Sequence, residues 1–215
     1  MILHVHDSAK DSNVGQVIVA TPDHEILELI KKHNGHAVLT SDKHETGTDR
    51  VFEVFKKELN SKPEIIINFQ GDMPNLSPNA IIDLVEHMKK NLCDIGTLAS
   101  HIENNSEEKD LNVVKVLTEN DIKSKSFAKV IDFFRISNEP LSKFTYHHVG
   151  IYAFTSKALI RYVSLKRSKL EVERKLEQMR ALEDKMKIDV GYIDSCPLSV
   201  DTEADLKAVK KIMEN

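Results

Sequence analysis

The stretch Glu64-Ile65-Ile66-Ile67-Asn68-Phe69-Gln70-Gly71-Asp72-Met73-Pro74 fixes the fold class. Its apolar run is short, β-branched and stopped by Gly and Pro. That pattern predicts a strand buried on both faces, as in a parallel α/β sheet. Asp72 then falls at the carboxyl end of the strand. Ligands bind at that edge in open α/β sheets, so Asp72 is a candidate ligand for a phosphate-bound divalent cation. Gly-Asp after a strand is also common turn chemistry, and the plain alternative for Asp72 is to cap the next helix.

Upstream of this strand the chain alternates. Residues 16–21 read as a buried strand. Pro22-Asp23 opens a helix with Ile26, Leu29 and Ile30 on one face, closed by Asn34-Gly35, and a second strand follows at 36–40. The loop 41–47 leads to a helix with Val51, Val54, Phe55 and Leu59 at helical spacing, while residues 1–10 read as the end of a helix anchored by Ile2, Leu3 and Val5. Downstream, Ser77-Pro78 caps a helix carrying Ile81, Ile82, Val85 and Met88, and residues 94–101 form a strand.

The middle of the chain is mixed. Residues 106–112 read as a short helix, 113–117 and 127–134 as antiparallel strands joined through Asn120-Asp121, 146–154 as an alternating strand and 157–165 as a helix. Residues 170–187 read as one long charged helix with Leu176, Met179, Leu182 and Met186 inward, 188–193 as the last strand, and Asp201-Thr202 as the cap of the terminal helix. The expectation is one α/β domain over 1–215. Its core is a Rossmann-like, mostly parallel sheet flanked by helices, with a smaller mixed lobe inserted at about 102–165.

Composition narrows the function. With 215 residues, 40% hydrophobic, the chain can bury one sizeable core, and a formal charge of -4 gives no basic field for long nucleic acid. A small anion bound locally is the better partner. Cys93 and Cys196 lie far apart in sequence without CxxC spacing and read as thiols of a cytoplasmic protein. No apolar run approaches the ~18 residues of a membrane span. His4 and His6 point in different directions from a helix and suggest no metal cluster.

Six motifs occur in order: Ile18-Val19-Ala20-Thr21, Thr46-Gly47-Thr48-Asp49-Arg50, Asn68-Phe69-Gln70-Gly71-Asp72, His147-His148-Val149-Gly150-Ile151-Tyr152, Leu176-Glu177-Gln178-Met179-Arg180 and Val200-Asp201-Thr202. Together they resemble the 3-deoxy-manno-octulosonate (Kdo) cytidylyltransferases over essentially the whole chain. The resemblance implies that the anomeric hydroxyl of Kdo attacks the α-phosphate of CTP, giving CMP-Kdo and pyrophosphate for lipopolysaccharide assembly. It further implies Mg²⁺ as cofactor, CTP and Kdo as small-molecule partners, and a homodimer.

Site residues carry over position by position. Asp72 and Asp201 match the family's metal-binding aspartates, although Asp201 alone reads as an N-cap with Thr202. Thr46, Gly47 and Thr48 match the segment that reads the cytosine edge; Thr48 would equally cap a helix beginning at Asp49. Arg50 and Gln70 fall in nucleotide motifs. His148, Glu177, Gln178 and Arg135 are implied for the acid sugar. In an alternating strand His147 and His148 face opposite ways, so at most one lines a pocket, and the resemblance implies His148; Glu177 has the alternative of a solvated helix face paired with Arg180.

One family feature is not found in these residues: the front strand and the Pro-Ala-Arg-x-x-Ser-x-Arg-Leu-Pro-x-Lys loop that cradles the triphosphate. The resemblance thus leaves two expectations. The first is the cytidylyltransferase, active when that front is present; the second is a non-catalytic remnant that dimerises or binds the sugar acid. The DNA upstream of the first Met codon discriminates them. For residues 1–215 alone, CTP binding at least about tenfold weaker and no transfer are expected.

Overall fold

A computed structural model describes residues 1–60, 62–124, 126–200 and 202–213, apart from the side chains of Asn105 and Ala204. The chain divides into two units, each with its own contacts. The first comprises Met1–Pro63, Asn68–Val85 and Pro197–Asn215; the second comprises Glu64–Ile67 and Glu86–Cys196.

In the first unit, α1 (Ile2–Asp11), β1 (Val19–Thr21), α2 (His24–Lys32), β2 (Ala37–Leu39) and α3 (Gly47–Lys57) follow the predicted rhythm. β1 and β2 pair in parallel, Val19 opposite Ala37 and Thr21 opposite Leu39. Val19, Leu27, Ile30 and Ala37 form the cluster between them, with Ile2, Leu3 and Ile26 against it. Asp23 caps α2 by accepting from the N–H groups of Glu25 and Ile26. The helix ends as expected, with the labour divided. Asn34 takes the left-handed turn at φ 57, and Gly35 allows close approach, since a Cβ there would lie 2.7 Å from Ile30 Cγ2 and 2.8 Å from His6 Nε2.

β3 (Ile65–Asn68) leads by the Gln70–Asp72 turn to α4 (Pro78–Lys90), and β3 and α4 each run across the division between the units. The second unit then contains β4 (Ile95–Ser100), α5 (Asn105–Lys109), β5 (Lys115–Thr118), β6 (Phe127–Phe134), β7 (Thr145–Thr155), α6 (Ser156–Ser164), α7 (Lys169–Arg174), α8 (Met179–Glu183) and β8 (Ile188–Tyr192). α9 (Glu203–Met213) belongs to the first unit, capped by Thr202, whose Oγ1 accepts from Asp205 N at 3.2 Å.

The expectation of a mostly parallel, Rossmann-like sheet is corrected. The strands of the larger sheet run β3-β7-β4-β8-β6-β5, and β5 also pairs with β7, so that five strands close on themselves. β4 with β8 is parallel; β4–β7, β5–β6, β5–β7 and β6–β8 are antiparallel. Closure also buries both faces of a strand, so every residue of β4 is buried without its having parallel neighbours on each side. β3 alternates half-buried and buried rather than being buried throughout.

Lys115 is fully buried in β5. Its Nζ donates to the carbonyls of Asp110 (2.7 Å), Val113 (3.0 Å) and Arg135 (2.7 Å), one for each of its three hydrogens. It thereby ties the entry of β5 to the exit of β6.

Residues 170–187 are not one helix. Lys175 adopts the left-handed conformation at φ 53 and ends α7, and α8 starts at Met179. Leu176, Met179 and Met186 are nonetheless buried, as the apolar spacing predicts.

Candidate active site

The motifs expected for the nucleotide lie in the first unit. Thr46 caps α3: its hydroxyl accepts from Asp49 N at 3.2 Å and donates to Asp49 Oδ2 at 2.9 Å. The helix therefore begins at Gly47, and the alternative of Thr48 as the cap is overturned. Thr48 sits buried inside the first turn and accepts from Asn68 Nδ2 at 3.3 Å. This couples the helix start to the end of β3. A Cβ on Gly47 would be in ordinary contact with Asn68, 3.7 Å from Nδ2, so the protein itself does not demand glycine there.

Arg50 is half-buried and partly committed. Its Nη1 donates to Thr40 Oγ1 at 2.6 Å and to Ser41 O at 3.0 Å, tying α3 to the end of β2. Gln70 is exposed in the turn after β3.

Asp72 is held on one side only. Ser199 Oγ donates to its Oδ2 at 2.9 Å, and its main-chain carbonyl accepts from Val200 N at 3.0 Å. Oδ1 is buried, and no hydrogen bond among the described residues reaches it. A buried carboxylate oxygen without a donor is electrostatically unfinished. A hard cation satisfies it, so the chemistry at Asp72 fits a divalent metal. The two bonds also bring Ser199 and Val200 beside Asp72. Asp201, the next residue and the second expected metal ligand, lies outside the described residues.

The motifs expected for the sugar lie in the second unit. His148 and His147 face opposite sides of β7, as alternation requires. His147 meets Glu107 through Nδ1 and stands 3.7 Å from Cys196 Sγ through Nε2. His148 is 7% exposed. Thr97 Oγ1 lies 2.9 Å from its Nε2 and 2.7 Å from the carbonyl of Ile151. The hydroxyl has one hydrogen, so if it donates to Ile151 O it accepts from Nε2–H, which leaves Nδ1 as an acceptor. Burial, with His147 nearby, pushes the His148 imidazole down from 6.5 to about 3. It works as a neutral ring. Phe133 meets it edge-on at 5.0 Å and Tyr152 lies 5.4 Å away.

Glu177 and Gln178 form the non-helical link between α7 and α8, with Gln178 buried at the start of α8. The solvated-helix-face alternative for Glu177 is overturned, because Glu177 is half-buried in this link and on neither helix. Arg180 donates from Nε and Nη2 to both oxygens of Glu171, at 2.8 and 2.6 Å, and each residue is 5% exposed. Burial is the largest influence and pushes the Glu171 carboxyl up, but the Arg180 hydrogen bonds, the Ser168 N–H and the charges of Arg180 and Arg167 together hold the group below its ordinary value.

Arg180 also lies 5.0 Å over the Tyr162 ring, and Tyr162 Oη donates to the carbonyl of Glu177 at 2.9 Å. The Glu171–Arg180–Tyr162 chain thus fixes the backbone that presents Glu177 and Gln178. Burial, and secondly the Glu177 charge, raises the Tyr152 phenol. Tyr152 thus neighbours the His148 ring and feels the Glu177 charge. Sequence reading missed Tyr152 and Glu171. Tyr152 lies in a quoted motif, on the same side of β7 as His148 in the alternation, apart from the bulge opposite Thr97 and Leu98; for Glu171 the Ser168-x-x-Glu171 capping box was the visible signal.

Arg135 is not brought to this group. Its Nη1 donates to Leu111 O at 2.7 Å, and it lines a cavity of about 670 Å³ with Asp132, Glu173, Arg174 and Lys175. None of His148, Glu177 and Gln178 lines that cavity.

Comparison with known proteins bears out the family resemblance. The cytidylyltransferase family profile matches residues 1–188. The 3-deoxy-manno-octulosonate cytidylyltransferases of Bartonella tribocorum and Bartonella quintana are 38% and 40% identical to the chain, over 99% of it and 87% of each relative. A solved CMP:2-keto-3-deoxy-manno-octonic acid synthetase complexed with CTP superposes with a TM-score of 0.88 at 30% identity, covering 99% of this chain and 87% of that one. The 4-diphosphocytidyl-2C-methyl-D-erythritol synthase of Anaerococcus prevotii, at 16% identity and a TM-score of 0.67, shares the nucleotidyltransferase-like α/β fold. By sequence over nearly its whole length, and by fold, the chain belongs to the 3-deoxy-manno-octulosonate cytidylyltransferase family.

Proposed function

We propose that the chain transfers the cytidylyl group of CTP to the anomeric hydroxyl of Kdo. The new bond joins that oxygen to the α-phosphorus, the bond from the α-phosphorus to the bridging oxygen breaks, and pyrophosphate leaves with its electron pair. The hydroxyl proton passes to solvent. The observation that carries the reading is the one-sided satisfaction of Asp72 at the end of β3 in a chain of this family. Asp72 and Asp201 would hold Mg²⁺, which when bound offsets charge on the phosphates and on the attacking oxygen.

The remaining roles belong to side chains. Thr46, Gly47 and Thr48, at the N-terminus of α3, offer main-chain and hydroxyl groups to the cytosine edge, with Gln70 and the uncommitted part of Arg50 beside the nucleotide. Glu177 and Gln178 hold hydroxyls of Kdo and neutral His148 accepts through Nδ1, while Arg135, which lines a different cavity, is left out of the sugar site. The same reading makes the protein a cytoplasmic homodimer, which light scattering checks.

The sugar assignment is tested on a chimaera that carries the front segment of the Bartonella quintana relative ahead of Met1. Glu177→Ala, Gln178→Ala and His148→Ala are expected to raise KM for Kdo much more than KM for CTP, because each leaves a polar partner unpaired. Equal changes in both constants would remove these residues from the sugar site.

A further inference from the structure

Three side chains of metal-binding chemistry converge away from every residue assigned above. His87 lies in the last turn of α4, Cys93 two residues before β4, and Asp189 in β8. Their ligand atoms all lie within 4.8 Å of one another. Asp189 pairs with Gly96 near the start of the parallel strands β4 and β8. His148, by contrast, pairs with Ala99 at their carboxyl end. The cluster and the sugar residue are therefore at opposite ends of the same strands.

The local geometry is built. Gly191, opposite Phe127 in the β6–β8 register, has no Cβ, and one placed there would lie 2.4 Å from Phe127 Cζ. The Phe127 ring therefore rests on bare strand. His87 stacks on that ring with centroids 3.8 Å apart and planes 8° from parallel. Stacking sets the imidazole plane and brings Nε2 to 2.8 Å from Asp189 Oδ2. Asn91 Nδ2 stands 3.0 Å from Nδ1. Cys93 is 6% exposed, while the side chains of His87 and Asp189 are 13% and 22% exposed, which leaves an approach from solvent.

We propose that His87 Nε2, Cys93 Sγ and an Asp189 oxygen bind one borderline-soft divalent cation of the Zn²⁺ class, with water as fourth ligand. One sulfur, one nitrogen and one oxygen suit such an ion and not Mg²⁺, which takes oxygen alone. Tetrahedral bonds of about 2.0–2.3 Å need ligand atoms between about 3 and 4 Å apart. The His–Asp pair opens slightly and the widest pair closes. Binding releases the thiol proton to solvent and moves the imidazole proton from Nε2 to Nδ1. Asn91 accepts it there after a half-turn of its amide. Lys129, opposite Asp189 in register, is exposed and free to swing into solvent; Met88 Sδ, 3.2 Å from Cys93 Sγ, is the remaining soft atom nearby.

Titration of the reduced 215-residue protein with Co²⁺ tests the site. One equivalent is expected to give a thiolate-to-cobalt charge-transfer band that Zn²⁺ displaces and excess Mg²⁺ does not. Cys93→Ser should abolish the band and Cys196→Ser should leave it. His87→Gln and Asp189→Asn, both at part-exposed positions, should each weaken binding at least about tenfold. Absence of the band, its survival in Cys93→Ser, or unchanged affinity in both His87→Gln and Asp189→Asn would overturn the proposal. If Cys93→Ser does not fold, the other two variants decide.

Discussion

His148 is a base that folding forbids to ionise. Its ordinary value of 6.5 falls to about 3 on burial, so between those values the unfolded chain binds a proton that the native chain does not. Stability therefore rises with pH across that window and is lost as pH falls through it, by up to about 1.4 kcal/mol per pH unit. Glu53 is held down to about 2, first by the hydrogen bond from Lys57 and then by those from His44 and Ser41 N, and titrates below 4.5. The interval from 4.5 to 6.5 thus lies above its window. Urea unfolding across that interval should show the slope, and His148→Gln should flatten it; an unchanged slope would place its source elsewhere. Alternation in β7 made it legible that His147 and His148 face opposite sides, and the family resemblance, not the alternation, picked His148 as the inward one. The burial of Lys115 was not, because nothing local shows that three carbonyls from separate turns converge on its ammonium. Asp72 was legible as a strand-end carboxylate, but its bond to Ser199, 127 residues away in sequence, was not.

The break between α7 and α8 shows the same limit for an element. The apolar spacing of Leu176, Met179, Leu182 and Met186 suits one helix, and Leu176, Met179 and Met186 stay buried while Leu182 is half-buried. The chain turns at Lys175 because Arg180 reaches Glu171 and Tyr162 holds Glu177; the first is a pairing nine residues apart, which no helical face provides. Two outcomes follow from this arrangement. Lys175→Gly relieves a left-handed residue and should stabilise the fold by roughly 0.5–1 kcal/mol, read from urea or thermal unfolding. A loss would mean that the Lys175 side chain contributes more than its backbone costs. Arg180→Met strips the buried Glu171 carboxylate of its two-pronged partner, leaving among the described residues only Ser168 N at 3.1 Å and Arg167 Nε at 3.6 Å, and should cost up to about 3–5 kcal/mol. In the chimaera at permissive temperature, it should also raise KM for Kdo, because the Glu177 carbonyl loses its anchored partner. A change in stability with no change in KM would make the pair purely structural.

For the whole molecule, the order of strands and helices was readable from periodicity and caps, since those signals are local. Their pairing was not. The run 95–100 says that both faces are covered, and closure of β7, β4, β8, β6 and β5 upon themselves covers them as well as a parallel sheet does; Ile65-Ile66-Ile67 read the same way, yet β3 lies outside the closed five and its faces alternate. The division into two units follows the chemistry that the motifs imply, with Thr46, Arg50, Gln70 and Asp72 in one and Arg135, His148, Glu177 and Gln178 in the other. Pyrophosphate release from CTP by the chimaera, measured with and without Kdo and Mg²⁺ and repeated for Asp72→Asn, tests the central claim most directly. The expected result is release that requires both Kdo and Mg²⁺ and falls at least roughly a hundredfold in Asp72→Asn with the fold intact. Release that is indifferent to Kdo, or an Asp72→Asn variant that turns over normally at moderate Mg²⁺, would contradict it.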